Sequence, residues 1–307
     1  MANERVTWVG LGNIGRAMSR NIVNKGPQTN PITLYNRTAS KTEAFASTLP
    51  PNKASVSTSL TEAVAASSIV FICVGDDPAL DAIITSILTI PDLTSKIIVD
   101  CSTVHPDTSR KTHSILAERG ASFIACPVFG APAAADAGQL IVVPAGPSAA
   151  IDRISPFLDG VVSKATIPMP DEDVGRATTL KILGNTFILN TVETVAEGLV
   201  TAEKSGLGVE VYRQWVHTFF PGPFAAYADR MITGDYHKRE EPLFAVDLAR
   251  KDLRHAASVA GEVGVRLRSV EVTQEYLKRV KEERGEKGDV AAVYGAIRKE
   301  SGLEFEN

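Results

Sequence analysis

The sequence predicts an α/β protein, with a doubly wound parallel sheet in the N-terminal half and an all-helical domain after it. Three observations carry this. Short β-rich runs alternate with amphipathic stretches through the first half, and that β signal then stops near residue 168. A long helical pattern with very little charge follows, at about 176–205, and it opens a half that reads as helix throughout.

The strand candidates are RVTWV (5–9), ITLYN (32–36), SIVFICV (68–74), KIIVD (96–100), SFIAC (122–126) and LIVVPAG (140–146). Their near-continuous apolar character suits strands covered on both faces, as in a parallel sheet. Between them lie amphipathic stretches such as NIGRAMSRNIVNKG, with Gly26 placed to stop the helix. Strand alternating with helix is the pattern of a Rossmann-type sheet. IPMPDEDVG (167–175) reads as a linker, which puts the domains at 1–172 and 173–307. The long helix would span roughly 45 Å at ~1.5 Å per residue and join them. Later helices break at FFPGP (219–223), ITGDY (232–236) and GEKGD (285–289), and there is no repeat or low-complexity segment.

At 307 residues the chain exceeds one ordinary core, in keeping with two domains. A net charge of -4 leaves no basic footprint for nucleic acid or an anionic membrane surface. Polar residues interrupt every apolar run before the ~18–20 residues of a membrane span. MANERVTWVG enters a strand within five residues, so no targeting peptide is expected and a cytoplasmic location follows. Cys73, Cys101 and Cys126 form no CxxC and read as small buried hydrophobes in a reducing compartment. His105, His113, His217, His237 and His255 are dispersed, so neither a metal site nor a Ser/His/Asp arrangement is expected.

The first chemical motif is GLGNIG, which runs from the first strand straight into the first helix. Gly10 permits the tight turn, Gly12 lets backbone approach a pyrophosphate, and Gly15 allows close packing of helix on strand. Asn13 and Ile14 complete this cofactor-binding turn, whose helix N-terminus offers N–H groups to phosphate. The second strand ends in Asn36, Arg37 and Thr38, where an NAD enzyme usually places a carboxylate for the ribose 2′-OH. An arginine and a hydroxyl suit a 2′-phosphate instead, so NADP(H) is the expected cofactor. VGDDP, with Val74 and Gly75, and DCSTVHP, with Ser102 and Thr103, follow the third and fourth strands, where such sheets place ligands.

The second motif is GRATTLKILGNTFILNTVE (175–193). Between Arg176 and Glu193 its only charge is Lys181, and Asn185 lies four residues on, hence on the same helix face. An ammonium in so apolar a stretch is expected to lose pKa by desolvation and to become capable of exchanging an alcohol proton. Taken alone, the pair also fits a lysine snorkelling out of a core helix beside a solvated asparagine.

Four stretches in order resemble the β-hydroxyacid dehydrogenases, relatives of 3-hydroxyisobutyrate and 6-phosphogluconate dehydrogenase. GLGNIGRAMSRNI is similar to the family's nucleotide fingerprint, with Ile14 in place of methionine. DCSTVHP is similar to its DxSTxxP loop, and CPVFGAPAAADAGQL (126–140) to its substrate segment. GRATTLKILGN is similar to its GxGxxxKxxxN, with Ala177 for the second glycine. LARKDL (248–253) is a weaker fifth match. The resemblance implies hydride transfer between NADP(H) and a 3-hydroxy acid or its semialdehyde. Lys181 would be the general acid/base, Asn185 would orient substrate or lysine, and Ser102 and Thr103 would border nicotinamide and substrate. Phe129, Gly130 and Ala131 would form the substrate segment, and Lys251 would touch the cofactor. It also implies a homodimer formed through the helical domain.

The substrate segment departs from the pattern. Phe129, Gly130 and Ala131 stand where the family has Ser-Gly-Gly, which removes a hydroxyl donor and adds a large ring. Backbone N–H groups at 130 and 131 could still hold an anion, while the ring suits a bulkier, less polar substrate. Two further readings therefore stay open: an imine reductase or reductive aminase on the same fold, and an NADP-binding protein without catalysis. Lys181 counts against both.

Overall fold

The computed structural model describes residues 4–307. The chain forms two compact units, one ending at Lys181 and one running from Ile182 to Asn307.

Among the described residues the first unit carries eleven strands: β1 (Val6–Val9), β2 (Ile32–Tyr35), β3 (Ala54–Val56), β4 (Ile69–Ile72), β5 (Ile97–Asp100), β6 (Ser122–Ala125), β7 (Val128–Phe129), β8 (Leu140–Val142), β9 (Ala145–Gly146), β10 (Ser163–Thr166) and β11 (Met169–Pro170). Eight of them form one sheet in the order β11-β9-β6-β5-β4-β1-β2-β3. The run from β3 to β6 is parallel, and β9 joins β6 antiparallel. The remaining three, in the order β10-β8-β7, make a small second sheet. Helices α1 (Asn13–Lys25), α2 (Ala39–Ala46), α3 (Leu60–Ala65), α4 (Asp77–Ile87), α5 (Pro106–Ala117), α6 (Pro132–Asp136) and α7 (Ser148–Leu158) link the strands.

Strand side chains alternate between two cores because successive residues point to opposite faces. Trp8, Ile69, Phe71, Ile97 and Val99 pack on one face, and Val9, Val70, Ile72, Ile98 and Phe123 on the other. Trp8 stacks on Phe71 at 5.5 Å between ring centroids. β1, β4 and β5 are buried on both faces, as their apolar runs require for a doubly wound sheet.

Local differences from the sequence reading concern short strands. β3 is an edge strand with Ser55 and Val56 exposed, so its sequence carries no apolar signal. LIVVPAG breaks into β8 and β9 at Pro144, a residue that has no N–H to donate to a ladder. Met169 and Pro170, in the segment read as a linker, pair with Ala145 and Gly146.

α8 (Gly175–Ser205) is a continuous helix of 31 residues. Val174 and Ala177 pack into the first unit's core, which carries the start of α8 with it. The second unit adds α9 (Val209–Phe219), α10 (Pro223–Ile232), α11 (Asp235–Lys238), α12 (Val246–Glu262), α13 (Arg268–Arg284) and α14 (Val293–Glu300). The helix breaks expected at 219–223, 232–236 and 285–289 fall between these elements. The unit's core gathers Leu189, Val192, Met231, Leu253 and Leu277 around Tyr236 and Tyr294. Among the described residues, no helix is long and apolar enough to cross a membrane.

Candidate active site

β1 delivers the chain into a glycine turn that tolerates no other residue at two positions. Gly10 has φ +96°, and a Cβ there would lie 2.2 Å from the Cys73 carbonyl oxygen. A Cβ on Gly15 would lie 2.3 Å from the Gly10 oxygen, so this glycine lets α1 press against the turn. The Gly10 N–H donates to the Tyr35 carbonyl at 3.0 Å, and the Trp8 indole N–H donates to the Gly10 carbonyl at 2.8 Å. Trp8 therefore braces the turn from the core, a role that its place in a strand did not disclose. Gly12 differs: a Cβ added there would meet nothing within 4 Å. α1 then begins with no side-chain cap on its N–H groups and no acid in its first turn. Open space at Gly12 in front of uncapped N–H groups fits the pyrophosphate of a dinucleotide. Asn13 accepts from the Arg16 guanidinium at 2.8 Å, and Ile14 packs against the core.

The end of β2 supports the same turn. Asn36 accepts from the Leu11 N–H at 3.2 Å and donates to the Thr38 carbonyl at 3.3 Å. A neutral amide thus stands where a carboxylate would meet a ribose, and Arg37 and Thr38 beside it are exposed.

The loops after β4 and β5 are tied together. The Val74 N–H donates to the Ser102 hydroxyl at 2.9 Å, and the Ser102 N–H donates to Asp100 at 3.0 Å. Ser102 is buried and Thr103 half-buried, while Gly75 is exposed. A Cys101–Cys126 hydrogen bond, together with burial, holds the Cys101 thiol well above its ordinary pKa. These cysteines are packing residues in a poor environment for a nucleophile.

The substrate segment leaves the second sheet at β7. Phe129 pairs with Ile141 of β8 and is half-buried; Gly130 and Ala131 beyond it are exposed. Gly130 has φ +144°, and a Cβ there would strike the Leu140 side chain at 2.5 Å. The Phe129 ring lies beneath Lys181, whose Nζ is 4.5 Å from the ring centroid. Lys181 is only 9% exposed. Its side chain lies against the Phe129 ring and is buried.

In the second unit, Asn185 is buried and donates to Asp252 at 2.6 Å. Lys251, also buried, places its Nζ 3.4 Å from the other oxygen of Asp252. Asp252 was not singled out in the sequence. It lies beside Lys251 in LARKDL, but nothing in its spacing points to Asn185, 67 residues earlier.

A glycine turn of this geometry, opening a helix on a doubly wound sheet, marks a dinucleotide-binding fold. Residues 5–169 match the family model described as the NAD binding domain of 6-phosphogluconate dehydrogenase. Residues 175–297 match the one described as the NAD-binding of NADP-dependent 3-hydroxyisobutyrate dehydrogenase. An NADH-dependent oxidoreductase of Aspergillus ustus is 36% identical over 293 residues, 95% of this chain and 98% of that protein. Mycobacterium tuberculosis 3-hydroxyisobutyrate dehydrogenase, solved with L-serine, shares the fold at a TM-score of 0.80 and 20% identity, over 96% of this chain and 99% of that one. Streptomyces aurantiacus imine reductase shares it at 0.63 and 20% identity, with the same coverage. The chain belongs to the β-hydroxyacid dehydrogenases of the 3-hydroxyisobutyrate dehydrogenase type and is an NAD(P)-dependent oxidoreductase.

Proposed function

We propose that this protein is an NADP(H)-dependent dehydrogenase or reductase acting at a CH–OH carbon, on a 3-hydroxy acid or the corresponding semialdehyde, with Lys181 as general acid/base. The buried Lys181, fixed over Phe129, carries the reading. A lysine so placed can give a proton to a forming alkoxide or take one from an alcohol while hydride moves to or from carbon. Asn185 would orient the reacting oxygen or the lysine, since an amide both donates and accepts. Ser102, Thr103, Gly130 and Ala131 would border the substrate, and Lys251 would contact the cofactor. Arg37 and Thr38 would bind the 2′-phosphate, with Asn36 adding no repelling charge. The family model named for an NADP-dependent enzyme supports this choice, whereas the A. ustus relative is named for NADH.

The deciding experiment follows nucleotide absorbance with NADPH and NADH against hydroxy acids, semialdehydes and cyclic imines. Turnover of semialdehydes with NADPH is expected. The apolar Phe129 ring favours a second reading, imine reduction, and turnover of cyclic imines without semialdehydes would establish it. Lys181→Met should lower the chemical rate by about 10²–10⁴ while leaving nucleotide binding nearly intact. Loss of nucleotide binding instead would make the lysine structural. Arg37→Ala should weaken NADPH far more than NADH; equal loss of both would remove the 2′-phosphate assignment.

A further inference from the structure

We propose that Phe129 is a positioning residue for Lys181: the face of its ring holds the lysine ammonium at one place, charged and ready to deliver a proton. This rests on the reading of Lys181 as the acid/base.

The contact is built from both sides. Phe129 is fixed by the β7–β8 ladder, where it pairs with Ile141, and its ring packs against the first unit's core. The next residue, Gly130, has φ +144°, a backbone conformation that favours glycine. Lys181 comes from α8 with 9% of its surface exposed. Lysine carries a compact charge on a flexible four-carbon stem, so burial alone does not define where Nζ sits. A ring centroid 4.5 Å from Nζ gives it a seat, because the negative face of the π system attracts the cation most strongly where water is excluded.

The consequence concerns carbonyl reduction. The carbonyl carbon would gain the hydride that reduced NAD(P)H supplies, leaving NAD(P)+; the carbonyl π pair moves onto oxygen, and that oxygen takes a proton from Lys181 Nζ. The lysine is left neutral and regains its proton from water. Holding the resting lysine as ammonium prepares this step.

The first test needs no turnover. The nucleotide-free protein is acetylated with an N-hydroxysuccinimide ester at fixed pH, and Lys181 modification is followed by peptide mass spectrometry. Exposed Lys41 serves as the internal reference. Phe129→Leu and Phe129→Met should speed Lys181 acetylation about three- to thirtyfold, the range of a partly desolvated cation–π contact. Phe129→Tyr should remain within about twofold of wild type. Because a smaller side chain also admits reagent, phenylalanine at 129 is replaced by mono-, di- and trifluorophenylalanine, which keep the ring's shape and drain its face. Acetylation should rise stepwise with fluorination. Equal rates across that series would overturn the proposal and leave Phe129 as a wall. In reduction assays, Phe129→Leu should lower kcat with a smaller change in KM. A change confined to KM would likewise count against positioning. Should Lys181→Met keep full turnover, the acid/base reading fails, while the acetylation series still reads the Phe129–Lys181 contact by itself.

Discussion

At the scale of single residues, the two glycines at the ends of the phosphate turn have different jobs from the one between them. Gly10 is needed by the fold, since its positive φ and its approach to the Cys73 carbonyl leave no room for a Cβ. Gly10→Ala should cost about 2–3 kcal/mol, from left-handed backbone strain and displacement of rigid backbone. A lower Tm together with lost nucleotide binding is the expected result. Gly12 is not needed by the fold, and its expected role is to let a nucleotide's pyrophosphate approach. Its φ of -71° suits any residue, and its missing side chain faces open space. Gly12→Ala should therefore change stability by less than about 1 kcal/mol at this N-cap position, yet weaken nucleotide binding sharply. Thermal melts and fluorescence titration on the same two samples separate the roles. A Gly12→Ala protein that binds nucleotide normally would mean the pyrophosphate lies elsewhere.

At the scale of elements, legibility followed burial and local patterning. The central strands declared themselves because doubly covered strands must be apolar along their whole length. GLGNIG was readable because its strand-to-helix context is local. β3 was not, since an exposed edge strand carries no apolar run, and neither was the bond from Asn185 to Asp252, which only tertiary packing creates. Phe129 was visible as a departure from the family pattern, but its place beneath Lys181 depends on the β7–β8 pairing. α8 carries a further feature: Glu193 and Glu197 stand at i and i+4. Burial of Glu193, with the charge and hydrogen bond of Glu197 added, raises its pKa to about 7 from an ordinary 4.5. A raised folded-state pKa means the folded protein binds this proton more tightly than the unfolded chain does. The stabilisation is complete below about pH 4.5 and is lost as pH rises towards about 7. Glu193→Gln should therefore raise stability at pH 8 by about 1–3 kcal/mol and flatten the fall of Tm between those values. An unchanged pH profile of Tm would place the Glu193 carboxyl in solvent.

At the scale of the whole molecule, the surface of the helical unit is what the isolated chain leaves unexplained. Leu183 and Phe187 on α8, and Leu207, Val211, Trp215, Phe219 and Phe220 on and around α9, are all more than two-fifths exposed. The rings are contiguous: Trp215 stacks on Phe219 at 5.8 Å, and Phe220 meets Phe219 at 4.9 Å and Trp215 at 5.8 Å. Scattered exposed leucines are ordinary, but a run of touching aromatic groups on one helix marks a surface that is covered in use. We propose that a second copy of the chain covers it, as expected for a homodimer formed through the helical domain. Two copies can bury the same patch against itself about a two-fold axis. Light scattering after size exclusion should give about twice the 32.8 kDa chain mass. Trp215→Ser with Phe219→Ser should shift the protein towards monomer without unfolding it, because both rings lie outside the unit's core. A wild-type protein that stays monomeric at tens of micromolar would reject the dimer. A double variant that stays dimeric would move the interface to another face of the helical unit.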